Sequence, residues 1–268
     1  MASAPTEDAR AIESLLGFWA DAGVGYAYGE EPVDRMAEGR AKLRAPIKTP
    51  KTAAAPPPVA AGPARNIAFA VEAAKDLAAA AANLEELQAA IAGFEGCPLR
   101  YSGARQAVFA RGDPTAPVMV VGEGPGGEED EQGAPFVGRA GKLLDKMLAA
   151  AGLTDRVFIT NTVFWRPPGN RTPTPEEQAV CMPFVERAVE LVKPQLLILA
   201  GGASAKAMLR TNEGILSLRG RWSVWTSADG GLTVPALPTL HPAFLLRQPQ
   251  AKKKAWQDLM SLAVKLEP

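Results

Sequence analysis

Four apolar runs constrain this chain more than any other feature. They are PVMVVG (117–122), RVFITN (156–161), QLLILAGG (195–202) and TVPALPTLH (233–241). A short run with almost every position apolar suits a strand buried on both faces. Each is followed by a stretch with helical spacing: 139–151, TPTPEEQAVCMPFVERAVELV, 203–209, and a last one from about Ala251. Strands that alternate with helices build a parallel sheet with helices over both faces. In the second of these helices Thr174 serves as cap, Pro175 opens the first turn and Glu177 completes a capping box, while Pro183 predicts a kink or a break. An Ala-rich stretch with Leu77, Leu84, Leu87 and Ile91 predicts one further helix over 71–93.

The sheet sets where function belongs. In parallel sheets ligands bind beyond the carboxyl ends of the strands. The segments leaving those ends are 122–127, 161–170, 201–204 and 241–247, and all four are expected to meet at one crevice. Upstream, residues 11–28 suggest a short amphipathic helix, and 44–65 are rich in Pro and Ala with little bulk to bury, so they read as a linker. The expected organisation is an N-terminal helical extension (1–43), a linker (44–65) and one catalytic domain (66–268).

Composition removes several classes. No apolar run is long enough to span a membrane, and Met1–Arg10 lacks the basic start and apolar core of a secretory signal, so the reading is a cytoplasmic chain. Two distant cysteines, Cys97 and Cys181, and a single histidine, His241, can hardly assemble a zinc or iron–sulfur site, which takes about four such ligands. No metal and no cofactor are expected. Net charge is zero overall, but residues 1–97 carry nine basic and 13 acidic residues, and 98–268 carry 20 and 16. The second part is thus mildly basic, compatible with a polyanionic partner.

The first strand exit, GEGPGGEEDEQGAPF (122–136), combines a glycine turn with a block of carboxylates. Its spacing is not that of a dinucleotide fingerprint, no Gly-Lys-Ser/Thr follows, and the acids would repel a pyrophosphate. Backbone N–H groups of the turn suit a neutral or transiently anionic group, and a carboxylate suits positive charge. Phe136 lies beside the turn as core or as an aromatic plate. Asn161 leaves its strand with an amide that can read a base edge or form a turn. His241 leaves another strand before Pro242, and Phe244, Leu245 and Leu246 are followed by Arg247, an apolar wedge with a cation.

Together these stretches resemble the thermophile-type fourth family of uracil-DNA glycosylases. The residues that carry the likeness are GEGPGGEEDEQGAPFVGRAGKLLDKML, ITNTVFWRPPGNRTPTPEE, KPQLLILAGGASA and TLHPAFLLRQP, within a similarity covering about Leu84–Leu266. The resemblance implies a three-layer α/β/α sandwich with a central four-stranded parallel sheet. It implies hydrolysis of the N-glycosidic bond of uracil in DNA, single-stranded or mismatched, after the base is flipped, by a monomeric enzyme of base excision repair. One departure is informative. The family holds a four-iron cluster on four cysteines; Cys97 and Cys181 fall on two of those positions, but Phe94 and Trp165 fall on the others. An aromatic ring buries about 150–250 Å² and can replace a cross-link by packing, so no cluster is expected.

The resemblance also assigns roles. Phe136 would stack on the flipped ring, with Glu123 and Gly124 beside it, and Asn161 would bond the uracil edge. His241, neutral, would donate to O2 as negative charge grows there. Glu129 would position water and stabilise the sugar cation, with Glu123, Glu128 and Asp130 as rivals, and Asn170 would hold the same water. Arg171, Ser204 and Arg247 would hold phosphates, and Phe244, Leu245 and Leu246 would fill the gap in the stack. No lysine stands at a matching catalytic position, which points to a monofunctional enzyme leaving an abasic site, and RPPGNRTPTPEE is too short to carry the basic, histidine-bearing insertion of relatives that bond covalently to DNA. Rival readings are a DNA-binding module that holds abasic or deaminated sites without turnover, a nucleotide-binding α/β protein, and a glycosylase that also takes other deaminated bases.

Overall fold

The computed structural model describes residues 67–266; the expected N-terminal extension and linker lie outside them. The elements in chain order are α1 (Ile67–Ala80), α2 (Leu84–Gly93), β1 (Ala110–Gly112), β2 (Val118–Gly122), α3 (Gly127–Gln132), α4 (Arg139–Ala150), β3 (Val157–Asn161), α5 (Pro175–Val192), β4 (Leu196–Ala200), α6 (Gly202–Leu209), α7 (Ile215–Leu218), β5 (Ser223–Thr226), β6 (Thr233–Thr239), α8 (Pro242–Arg247) and α9 (Lys252–Leu266). Short 3₁₀ turns cover Pro98–Tyr101, Pro168–Asn170 and Pro249–Ala251.

The sheet has six strands in the order β1-β3-β2-β4-β6-β5. The four expected strands form its parallel centre. The edges are antiparallel: β1 on β3 and β5 on β6. Neither edge announces itself in sequence, because β1 has three residues and β5 places Val224 in solvent.

Alternation along the central strands divides the core in two. Met119, Val121, Phe158, Leu197, Leu199, Val234 and Ala236 face a layer that includes α1, α2 and α5. Val118, Val120, Ile159, Leu196, Ile198 and Leu237 face the other, with Leu144 and Leu148 of α4 and Leu259 and Leu262 of α9. Successive strand side chains point to opposite faces, so near-continuous apolar runs serve both layers at once.

One helix expectation needs correction, and of the two readings of Pro183 the break is excluded. The stretch 71–93 is two helices, because Asn83 caps α2. Its Oδ1 accepts the Glu86 N–H at 2.9 Å, and Glu86 returns the bond to the Ala82 N–H at 2.7 Å. In α5 the capping box forms as read, with Thr174 N–H donating to Glu177 at 2.8 Å. Pro183, however, does not end the helix, which runs unbroken to Val192. The burial of Val180, Cys181, Phe184 and Val185 around the ring holds the helix together through the lost bond.

The positions where the resembling family carries four cysteines lie together in the first core layer. Cys97 and Cys181 are buried with their sulfurs 3.8 Å apart. Burial pushes the Cys181 thiol up. Phe94 packs edge-on against Phe184 with centroids 5.2 Å apart, and Trp165 packs on Phe164 at 6.3 Å. A Cβ on Gly96 would overlap the Phe94 ring, so the glycine makes room for it. Arg100 clamps the same loop by donating to the carbonyls of Ala92 and Phe94. Two thiols and two rings do not fit a four-iron cluster: half the donor set is carbon, and both rings are buried in the same core layer as the thiols.

Candidate active site

A cavity of about 660 Å³ opens at the carboxyl ends of β2, β3 and β6. The glycine turn forms one side, the loop from Pro167 to Pro173 a second, and α8 with His241 a third, with Asn161 and Phe136 between them. Three of the four expected exits therefore converge. The β4 exit stands behind the cavity. Gly201 has φ +96°, and a Cβ on it would lie 3.0 Å from His241 Cβ, so it lets the histidine pack against the sheet end.

His241 caps α8, and its Nδ1 accepts the Ala243 N–H at 3.2 Å. Nδ1 is thereby the unprotonated nitrogen, and the neutral ring carries its proton on Nε2. Loss of water around the ring, then the charge of Arg247, lower its pKa from 6.5 to about 4, against a smaller opposing effect of Glu129. The ring stays neutral at physiological pH, between a cation and a carboxylate.

Asn161 is almost fully buried, and its side-chain amide makes no hydrogen bond to any described residue while lining the cavity. Such an amide is expected to find partners when a ligand enters. Phe136 adopts φ +55°, a left-handed conformation uncommon for an aromatic residue. Arg111 helps to hold it there, donating from Nε to the Pro135 carbonyl at 2.7 Å and from Nη2 to the Phe136 carbonyl at 3.2 Å. Its ring lies 5.6 Å from that of His241, tilted 32°. Nothing in the sequence around Arg111 signalled this part.

The carboxylates separate by geometry. Asp130 faces away: it is buried, and its Oδ1 accepts the Arg105 N–H at 2.8 Å. It is withdrawn as a rival for the water. Glu129 reaches the cavity wall with each oxygen held, Oε2 by the Gly126 N–H at 3.0 Å and Oε1 by the Gly138 N–H at 2.9 Å. It thus joins the start of α3 to that of α4, and the Gly126 amide is engaged rather than offered to a ligand. Glu123 and Glu128 also line the cavity with no side-chain hydrogen bond to a described residue. Gly124 lines it beside Glu123. Asn170 has φ +55° and accepts Arg166 Nε–H on Oδ1 at 2.7 Å, so its amide NH₂ is the part left for the cavity.

The expected DNA contacts divide likewise. Phe244 and Arg247 line the cavity and Leu246 is exposed, but Leu245 is fully buried against Leu240 and Ala255. Three wedge residues on a helix cannot share one face, and Leu245 is the one turned inward. Ser204 is also buried, and its hydroxyl donates to the Val121 carbonyl at 2.6 Å, so it binds the sheet and not a phosphate. Arg171 lines the cavity with its guanidinium already paired bidentately to Glu177 at 2.7 and 2.8 Å. Arg139 is a lining cation that the sequence reading passed over.

Comparison with known proteins fits this arrangement. The family described as "Uracil DNA glycosylase superfamily" matches residues 109–260. The chain is 38% identical over 182 residues to the type-4 uracil-DNA glycosylase of Pyrobaculum aerophilum, covering 66% of this chain and 91% of that protein. It is 40% identical over 153 residues to the enzyme of the same description from Thermotoga maritima, covering 56% and 77%. With that of Sulfurisphaera tokodaii the figures are 36% over 186 residues, 67% and 83%.

Proposed function

The chain belongs to the uracil DNA glycosylase superfamily, and from that premise we propose that it removes uracil from DNA by hydrolysis. The target base leaves the stack, because its glycosidic carbon is shielded inside a duplex. The C1′–N1 bond breaks with its electron pair staying on the base. The sugar becomes an oxocarbenium cation and the uracil an anion with charge on O2. Water then attacks C1′, the proton it loses balances the one taken up by the uracil anion, and the products are neutral uracil and an abasic sugar.

The observation that carries this reading is the pairing of Asn161 and His241. An unpartnered amide open to the cavity offers a donor and an acceptor, which match O4 and N3–H of uracil. Cytosine presents the opposite pattern and would leave both groups unpaired, a strong penalty. The neutral His241 donates from Nε2 to O2, and its donation strengthens as the bond breaks. The positive charge of Arg247 favours the same anion. Phe136 supplies an apolar wall for the flipped ring.

The cation is met from the other side. Glu129 cannot swing away, because two backbone amides hold its carboxylate, and its fixed negative charge favours the oxocarbenium ion and orients water. Glu123 and Glu128 stand close enough to contribute. Asn170, locked by Arg166, presents its NH₂ to the same side. No lysine lines the cavity among the described residues, so the reading is of a monofunctional glycosylase. Phe244 and Leu246 fill the space left by the base, and Arg247 and Arg139 meet the backbone. Among the described residues no helix is long and apolar enough to cross a membrane.

The test is single-turnover release of uracil from an oligonucleotide. Asn161→Ala and His241→Ala should each slow release about 10²–10³-fold with the fold kept, His241→Ala melting somewhat lower because it also loses the α8 cap. Release at the wild-type rate by either variant would remove its assigned role. Multiple turnover with excess substrate separates an enzyme from a protein that only holds damaged sites.

A further inference from the structure

A second cavity, about 350 Å³, lies on the far side of α8. Met147, Leu245 and Leu259 are among its apolar lining residues, Trp256 adds an indole that is 40% exposed, and Lys146, Lys252 and Lys253 complete it. The two cavities share walls. On α8, Phe244 and Arg247 line the first and Leu245 the second; on α4, Arg139 lines the first and Lys146 the second.

Two lines of cations follow these walls. Arg139, Lys142 and Lys146 occupy positions i, i+3 and i+7 of α4, one face of that helix, over about 10 Å. Arg247 at the end of α8 is followed by Lys252 and Lys253 at the start of α9. None of these six side chains forms an ion pair or a hydrogen bond with a described residue. The arginines beside them do: Arg111 pairs with Asp145 and Arg219 with Asp258.

Unpaired cations in rows invite a polyanion. Rows that begin at the reaction cavity and end at an exposed indole over an apolar floor invite one that carries a flat ring at each step. An acidic peptide would satisfy the charges, but it gives no reason for them to start at the uracil site. We propose that the DNA strand flanking the target nucleotide leaves the reaction cavity between these cation rows and stacks a flanking base on Trp256 in the second cavity. This inference rests on DNA being the substrate and deepens that reading. It makes the enzyme a reader of flanking single strand on one side of the lesion.

The test uses the full chain and single-stranded oligonucleotides of about 4 and about 16 nucleotides, each with one non-hydrolysable 2′-fluoro-deoxyuridine. Affinity is measured by fluorescence anisotropy across a salt series. The wild type should bind the longer strand at least tenfold more tightly. The K146A/K252A/K253A variant should lose most of that gain, and its log–log salt slope on the longer strand should fall by about 2, at roughly 0.7 per phosphate. Trp256→Ala should lose about fivefold or more on the longer strand, with Trp256→Phe restoring most of it. If the lysine variant and Trp256→Phe melt like the wild type, and the lysine variant and Trp256→Ala keep the full length gain and salt slope, the proposal is overturned and the second cavity is left as a surface for protein. Uracil release from an unmodified strand is read separately. Its absence in the wild type would sink the glycosylase reading while the length dependence still decides the track.

Discussion

A Cβ placed on Gly122 would overlap Asn161 Oδ1 and lie 2.5 Å from Phe136 Cε2. The last residue of β2 therefore leaves room for both the Asn161 amide and the Phe136 ring, the groups proposed to read and to wall the base. Gly122→Ala should move one or both. A displacement of about 1 Å at a reacting site can cost about 10²-fold in rate, and that is the expected loss in uracil release. Circular dichroism should show the fold retained. A variant with wild-type release would mean that the amide need not stand where it does.

The pH profile tests the state of His241. The proposed role is that of a neutral donor, and the pKa of the ring is lowered from 6.5 to about 4. Single-turnover release should therefore stay level on going from neutral to mildly acid solution and fall with a midpoint near 4. Stability follows the same sign. Between the two values the unfolded chain binds the proton and the folded one does not, so stability from this group is present above 6.5 and declines as the pH falls toward 4. A midpoint of activity at 6.5 would show that the ring is not shielded as described.

The carboxylates should separate stability from rate. Glu129→Gln removes one of two acceptors that join the starts of α3 and α4, so melting temperature and uracil release should fall together. Glu123→Gln disturbs no hydrogen bond to a described residue and should change release without changing the melting temperature. The comparison is thermal melting against single-turnover rate on the same preparations.

Much of this site could be read along the chain because its parts are local. Apolar runs mark the parallel strands, and the segments that leave their carboxyl ends form the crevice in three cases of four. Asn161 at the end of β3, the glycine turn after β2 and His241 two residues past β6 all lie on such exits. What could not be read depends on rotation or distance. Helical rotation turns Leu245 inward while its neighbours Phe244 and Leu246 face out. Ser204 sits beyond a strand end but one layer behind the cavity. Arg111 reaches Phe136 across 25 positions of sequence, and no spacing rule links them. The edge strands were missed for another reason: a three-residue strand has no period to detect.

Those differences can be measured. Leu245→Ala should cost about 2–5 kcal/mol of stability, because the side chain is fully buried in a packed cluster. Leu246→Ala should leave the melting temperature close to wild type and weaken duplex DNA use. Ser204→Ala should cost about 1–3 kcal/mol through the Val121 carbonyl and leave the salt dependence of DNA binding unchanged. A changed salt slope would return Ser204 to the phosphate contacts.

The aromatic pair in the first core layer has its own signature. Phe94→Ala should destabilise the protein by about 3–5 kcal/mol, as for other buried phenylalanines. Purified wild-type protein should carry far less than about four irons per chain and show no cluster absorbance. A stoichiometric cluster would refute the assignment outright.

The consequence of that pair reaches past stability. A ring of carbon arrives with the ribosome's own product. It asks for no delivered metal and no assembly machinery. The protein's shape at this point is set by the sequence alone, whether or not iron is supplied.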